Sequence, residues 1–516
     1  MKNVIKSIVI VGGGTAGWLT AGIVAARHQS RISNGELTIT LIESKNISTV
    51  GVGEGTWPTM PTTLRSMGIS ETDFIRECDA SFKQGTKFVN WDSETTTNHY
   101  YHPFDVPKGA LEGDIATYWL SHESDKSLAE LFTSQAALCD GEFAPKTISA
   151  PEYAGFANYG YHLDAIKFAA FLHKHCVNKL GVQHIVADIE EVQLSPSGDI
   201  NILQTIDGNA ITADFFIDCS GFSSILLGKA LGVGFKKIDD TLFADTALAV
   251  QVPYASGNDT IASYTKSTAQ SAGWIWDIGL PSRRGVGYAY SSKYQSREGA
   301  EQELMAYIKS SGAHSEGLKF KEISFQAGHR EKFFHKNCVA IGLSAGFLEP
   351  LEAAALVMIE LSATMIAEQL PKTKDTLTII EGRFNETFHY RWERVIEFLK
   401  LHYIVSNRST PFWLDNRKKA SIPTRLQEQM ALWQYNVPTQ FDFNRIGEVF
   451  QAASYQFVLY GSQFRTESLF SIEPAIEKFS AEQITQNKLR TEKLLTSLPS
   501  NRELIAQIHT YGMKKI

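Results

Sequence analysis

The chain has 516 residues, 43% hydrophobic and 11% aromatic, which is enough for a large core in one composite domain or two. A net charge of −7 gives no footprint for nucleic acid, and the single basic cluster, Arg417-Lys418-Lys419, reads as a solvated loop. The five cysteines (Cys78, Cys139, Cys176, Cys219 and Cys338) are scattered, with no C-x-x-C pair, which disfavours a disulfide framework or a metal site and predicts a cytoplasmic protein with reduced thiols.

At the N-terminus, Lys2 and Lys6 followed by an apolar run and Ala25-Ala26 imitate a signal peptide. The glycines Gly12, Gly13 and Gly14 inside that run suit a strand-to-helix turn instead. No uninterrupted apolar run reaches the roughly 18 residues of a membrane span, so none is expected.

Ser7 to Val11 reads as a buried parallel strand, the glycines as the turn, and Trp18 to Ala26 as a helix. Leu37 to Ile42 follows as a second strand ending in Glu43, which completes a β-α-β unit. Gly12-x-Gly14-x-x-Gly17 has dinucleotide spacing: Gly12 permits the tight turn, Gly14 close approach of a pyrophosphate, and Gly17 close helix–strand packing. Thr15 and Ala16 open the helix whose N–H groups face the phosphates, and Glu43 is placed to accept from an adenosine ribose. An acid there disfavours a 2′-phosphate, and the late strand ending in Asp218 favours FAD over NAD. The glycine-dense loop Gly51-Val52-Gly53-Glu54 after this unit is a plain turn or a backbone able to lie flat against a flavin ring, the second being favoured.

Further along, a helix is expected from Asp164 to about Leu180, a strand over 184–189, and an antiparallel meander across Pro196-Ser197-Gly198-Asp199 and Asp207-Gly208. Phe215 to Asp218 and Val339 to Ile341 read as parallel strands, with a helix from Leu351 to Gln369. Helical patterns dominate from Ile379 onward. The predicted fold class is therefore α/β: a Rossmann-like FAD-binding domain over 1–380 with an inserted antiparallel sheet over about 222–335, and a mostly helical region over 381–516.

Other residues are ambiguous singly. Trp274 and Trp276 share one side of a strand, as core pairs commonly do. Lys83 could be an ordinary surface lysine, and Glu352, just inside a helix N-terminus, could merely complement the dipole. Residue patterns by themselves lead as far as an FAD-binding oxidoreductase.

Together these residues resemble the flavin-dependent tryptophan halogenase family over most of the chain. The likeness rests on Gly12-x-Gly14-x-x-Gly17, the Gly51-Val52-Gly53-Glu54 loop, Lys83 within Phe-Lys-x-x-x-Lys-Phe-x-Asn-Trp, Trp274-x-Trp276, and Phe347-Leu348-Glu349-Pro350-Leu351-Glu352. The resemblance implies an enzyme that takes reduced FAD from a separate flavin reductase and uses dioxygen to turn chloride or bromide into hypohalous acid. It assigns Lys83 to a haloamine or to polarising the hypohalous acid, and Glu352 to assisting that step or taking the ring proton. Halide would rest near the N–H groups of Ala354 and Ala355, and Leu343, Leu356 and Ile189 match positions that touch FAD. Trp274 and Trp276 would wall substrate from flavin, His102 and Phe104 would stack on an aromatic ring, and the helical C-terminal part would cover the substrate.

The chain also departs from that pattern. Ser-Thr-Gly after the glutamate is replaced by Ala353-Ala354-Ala355, and the proline of W-x-W-x-I-P is displaced to Pro281. The groups that hold the amino-acid end of free tryptophan have no match in the C-terminal third. An indole or other small electron-rich aromatic is therefore the expected substrate, with no nucleic acid or membrane partner; a homodimer stays open beside a monomer. The competing readings are a monooxygenase of the same fold, in which Lys83 and Glu352 are structural, and a non-catalytic FAD-binding module.

Overall fold

Ser7–Val11 is apolar and buried along nearly its whole length, and in the computed structural model of the chain it lies inside a six-stranded sheet. The structure describes residues 3–46, 53–94, 98–122, 124–313, 316–443, 445, 447–467 and 469–515. Two compact units are present. The first comprises Met1–Asp79, Leu163–Ile238 and Gln326–Trp392; the second comprises Ala80–His162, Asp239–Phe325 and Glu393–Ile516.

In the first unit the strand order is Phe334–His335, Cys338–Ala340, Phe215–Asp218, Ser7–Val11, Thr38–Glu43 and Gln183–Val186. All pairs are parallel except the first. Ile10 lies opposite Ile217 on one side and Leu41 on the other, which is why the strand reads as a continuous apolar run. Helix Thr15–Arg27 packs against helices Ala165–Leu180 and Ala354–Glu368. Asp164 caps the second of these by accepting from the N–H groups of Ile166 and Lys167. The expected strand over 184–189 is two elements, Gln183–Val186 in the large sheet and Ile189–Leu194 in a three-stranded antiparallel meander.

The second unit is built on a seven-stranded sheet in the order Lys321–Ser324, Thr246–Pro253, Arg283–Tyr290, Gly273–Gly279, Thr265–Gln270, Gly85–Val89 and His99–Pro103. One face, with Leu248, Val250, Val252, Ile275, Val286 and Tyr288, is closed by Ala300, Leu304 and Ile308 of helix Arg297–Ser310. The register places Trp274, Trp276, Ser267, Thr265, Thr86, Phe88, Tyr100 and His102 together on the other face. The antiparallel sheet is thus wider than an insertion over 222–335, because Gly85–Val89 and His99–Pro103 complete it. Gly85–Val89 joins it by pairing with Thr265–Gln270, far away in sequence and beyond the reach of local periodicity, and His99–Pro103 pairs in turn with Gly85–Val89. Residues from Glu393 onward belong to this unit. Among the described residues no helix is long and apolar enough to cross a membrane.

Candidate active site

The glycine turn is shaped by what each position must touch. Gly12 has φ +120°, and a Cβ there would strike the carbonyl of Cys219; one on Gly17 would strike the carbonyl of Gly12. Gly13 lies directly beneath the carboxylate of Glu43, whereas a Cβ on Gly14 would meet nothing within 4 Å. Gly14 thus faces the open side of the turn. Helix Thr15–Arg27 starts there with no capping side chain and no acid in its first turn, leaving the N–H groups of Thr15, Ala16 and Gly17 for an anion. Glu43 stands at the strand end, 3.1 Å from Nε2 of His184. Leu343 is in the turn Gly342–Ser344, where a Cβ on Gly342 would come within 2.7 Å of that of Ala16, so this turn abuts the phosphate end of the helix. Leu356 is buried in helix Ala354–Glu368, and Ile189 is half-buried at the start of the meander. Gly53 begins a short strand, while Gly51 and Val52 lie outside the described residues. The open cradle at Gly14, the uncapped N–H groups and the adjacent acid fit the pyrophosphate and ribose of FAD.

Glu352 is buried in the same unit, and its carbonyl accepts a 2.8 Å hydrogen bond from Nε1 of Trp57. It does not lie inside a helix N-terminus as expected from sequence. Ala353 is left-handed at φ +53°, which no residue within a right-handed helix can be, so the helix begins at Ala354 and Glu352 stands in the turn before it. Ala354 and Ala355 open the helix, again with no capping side chain and no acid in the first turn. Deeper along this helix, Glu360 accepts from Thr63 at 2.6 Å and Thr59 at 3.2 Å, and burial pushes its carboxyl up to about 7.

The other predicted site residues lie in the second unit. Lys83 ends the strand Ser81–Lys83, which pairs antiparallel with residues 160–162, and its side chain is only 1% exposed. Its ammonium sits 5.1 Å from the ring centre of Phe104, a cation–π distance. Next to it, Gln84 is locked by its N–H to the carbonyl of Ser263 and its side-chain amide to the carbonyl of Phe143. His102 stands among Phe398, Phe450 and Phe457, with ring centres 5.6, 6.4 and 6.3 Å away. Trp274 and Trp276 are on that same sheet face, 6.1 Å apart between ring centres. Trp276 lies across Gly287 of the neighbouring strand, where any side chain would collide with its indole.

Trp57, His162 and Glu360 were not singled out in the sequence. His162 is fully buried, its Nε2 2.9 Å from Oγ1 of Thr265, and burial followed by the nearby charge of Lys83 holds it well below the ordinary histidine range. Its place opposite Ser81, two residues from Lys83, needed the strand pairing to be seen.

One unit carries a Rossmann-type sheet, a glycine turn suited to a dinucleotide and a buried glutamate before a second uncapped helix, and the other carries a buried lysine against Phe104; the first set is that of an FAD-dependent oxidoreductase. The profile of the tryptophan halogenase family matches residues 7–476, and the chain belongs to that family. It is 31% identical to tryptophan 6-halogenase ThaL of Streptomyces albogriseolus, over 99% of both chains. Its structure is similar to that of a tryptophan halogenase from Shewanella frigidimarina, with 45% identity, complete coverage of both chains and a TM-score of 0.96. It is also similar to BrvH, a flavin-dependent halogenase from Brevundimonas sp., with 32% identity, 98% and 99% coverage and a TM-score of 0.84. The protein is therefore a flavin-dependent halogenase, of a family that uses FAD, halide and dioxygen and generally draws on a separate flavin reductase.

Proposed function

We propose that this halogenase transfers chlorine or bromine to an indole-like or other small electron-rich aromatic, with Lys83 and Glu352 as its catalytic residues. The observation that carries this reading is the Lys83 ammonium, buried and held over Phe104 on its own short strand. A lysine serving only solubility would be exposed. Reduced FAD, when bound at the Gly12–Gly17 turn, supplies hypohalous acid from dioxygen and halide. Gly12, Gly14, Thr15, Ala16, Gly17, Glu43, Gly53, Ile189, Leu343 and Leu356 would hold it, with Gly51 and Val52 assigned to it from the sequence alone. The N–H groups of Ala354 and Ala355 offer the halide a helix N-terminus free of competing acids.

Lys83 then donates a hydrogen bond to the oxygen of the hypohalous acid and weakens its bond to the halogen. The ring's π electrons form the carbon–halogen bond as the oxygen–halogen bond breaks; the oxygen leaves as water with a proton from Lys83. Glu352 takes the ring proton, which balances the step. A buried cation against an aromatic ring suits this donor role.

Two observations support a substrate without an amino-acid end. Ala353 places a methyl where the family pattern has a hydroxyl, and Phe398, Phe450 and Phe457 put apolar rings beside His102. In competition between indole and free tryptophan, with reduced FAD and bromide, indole should be consumed first. Preferential halogenation of free tryptophan would overturn the substrate assignment.

A further inference from the structure

We propose that Lys266 and Tyr307 form a modification site on the helix-covered face of the seven-stranded sheet, where Lys266 captures hypohalous acid as a haloamine and passes the halogen to the ring of Tyr307. The inference rests on the chain generating hypohalous acid, as proposed above. Lys266 is paired with Asp277 on one neighbouring strand and with Lys87 on the other. It therefore lies on the face closed by helix Arg297–Ser310, opposite the face of Trp276 and His102. Tyr307 comes from that helix, and the Lys266 nitrogen stands 5.3 Å from its ring centre. Both residues are partly exposed, so a small oxidant reaches them from solvent.

Capture requires an amine lone pair, and the surroundings of Lys266 favour one. The carboxylate opposite it, Asp277, is already held by Nε and Nη2 of Arg284 and by a 2.8 Å hydrogen bond from the Tyr307 hydroxyl. Among the described residues, none accepts a hydrogen bond from Lys266 or forms an ion pair with it. Burial lowers its pKa from the ordinary lysine value; Asp277 opposes this, and the charges of Arg284 and Lys87 add to it. More of Lys266 is thus neutral amine than in a solvated lysine. Two other lysines that lie over tyrosine rings differ. Lys87, 5.0 Å from the ring centre of Tyr101, is bound to Asp140 at 2.7 Å, and the hydrogen bond of Lys293 to Tyr294 raises its pKa.

In the first step the Nζ lone pair attacks the halogen of the hypohalous acid. The nitrogen–halogen bond forms, the oxygen–halogen bond breaks, and the oxygen leaves as water with a proton from the nitrogen. A Tyr307 ring carbon next to the hydroxyl-bearing carbon then attacks the halogen. The carbon–halogen bond forms, the nitrogen–halogen bond breaks, and the ring proton goes to the nitrogen, which restores the amine. The ring is oxidised and the oxidising equivalent of the hypohalous acid is consumed. The hydrogen bond from Tyr307 to the Asp277 carboxylate feeds electron density into the ring and helps this attack.

Sub-stoichiometric hypobromite added to flavin-free, full-length protein tests the site, with bromine located by peptide mass spectrometry. Tyr307 should carry more bromine than Tyr435, although Tyr435 is 51% exposed. Lys266→Arg keeps a cation over the ring without an amine lone pair, and Lys266→Leu keeps an apolar stem. In both, bromine at Tyr307 should fall about tenfold or more, because the halogen no longer starts beside the ring, while bromine at Tyr435 stays unchanged. Tyr307→Phe should strand the halogen on nitrogen, so that after gel filtration it retains thiol-oxidising equivalents that are lost when Lys266→Arg is added. Bromine that follows exposure, or a Tyr307 mark that persists in Lys266→Arg, overturns the proposal. The protein is also run with a flavin reductase, FAD and bromide, without aromatic substrate and beside a parallel reaction containing a thiol trap; Tyr307 should again be marked through Lys266. Trapped hypohalous acid with Tyr307 unmarked overturns the proposal, whereas a trap that records none overturns the reaction on which it rests.

Discussion

Glu360 gives a quantitative test of how the helix behind Glu352 is held. Its carboxyl is buried between Thr59 and Thr63, and desolvation raises its pKa from 4.5 to about 7. The hydroxyls can accept as well as donate, so the protonated acid is accommodated. In the folded protein the group keeps its proton between about pH 4.5 and 7, whereas in the unfolded chain it has lost it. The folded state then binds more protons, so stability falls as pH rises through this window and levels off above it. A difference of about 2.5 units at 1.36 kcal/mol each is about 3 kcal/mol. In Glu360→Gln that contribution vanishes. Thermal or urea unfolding of both proteins at pH 5, 6, 7 and 8 and constant ionic strength should show wild type losing about 3 kcal/mol relative to the variant, most of it below pH 7. Parallel stability curves would refute the burial argument and mean that the carboxyl is solvated or ionised throughout.

Lys83→Ala should abolish halogenation while FAD binding and hypohalous acid formation persist, measured by flavin fluorescence and a thiol trap; near-wild-type halogenation would show that the site is misassigned. Ala353→Gly relieves the left-handed backbone at φ +53° and should raise stability by about 0.5–1 kcal/mol, visible as a higher unfolding midpoint. Gly287→Val must push the Trp276 indole off its neighbouring strand; a loss of about 1–3 kcal/mol and a shift in tryptophan fluorescence are expected. Trp57→Phe removes the bond to the Glu352 carbonyl, for which about 1 kcal/mol of stability and a lower kcat are expected, with FAD affinity retained.

The nucleotide-binding part was legible because its determinants are local. Ser7–Val11, the glycine spacing and Glu43 follow one another within a single β-α-β unit; Gly12, Gly13 and Gly17 each answer to a contact a few residues away or one strand across, and Gly14 faces open space. The aromatic face was legible only in pieces. Trp274 and Trp276 could be placed on one side of a strand from their spacing, but their sharing a face with His102 depends on a parallel pairing between Gly85–Val89 and Thr265–Gln270. His162 and Thr265 look like ordinary core residues until the two strands that carry them are brought together. The helix begins at Ala354, three residues later than the sequence suggests, because the left-handed turn at Ala353 occurs at an alanine, a residue that ordinarily extends helices and gives no warning of a break. Lys83 and Glu352 became interpretable through the resemblance of their surrounding motifs, since neither charge is distinctive by itself.

The central claim is halogen transfer through Lys83. It is tested most directly by the product mass when indole is incubated with wild type or Lys83→Ala, reduced FAD from a generic flavin reductase, and either chloride or bromide. Wild-type product should carry the mass and isotope pattern of whichever halide is supplied, and Lys83→Ala should yield none while still consuming dioxygen and halide. A hydroxylated product indifferent to halide, or the same halogenated product from the lysine variant, would contradict it.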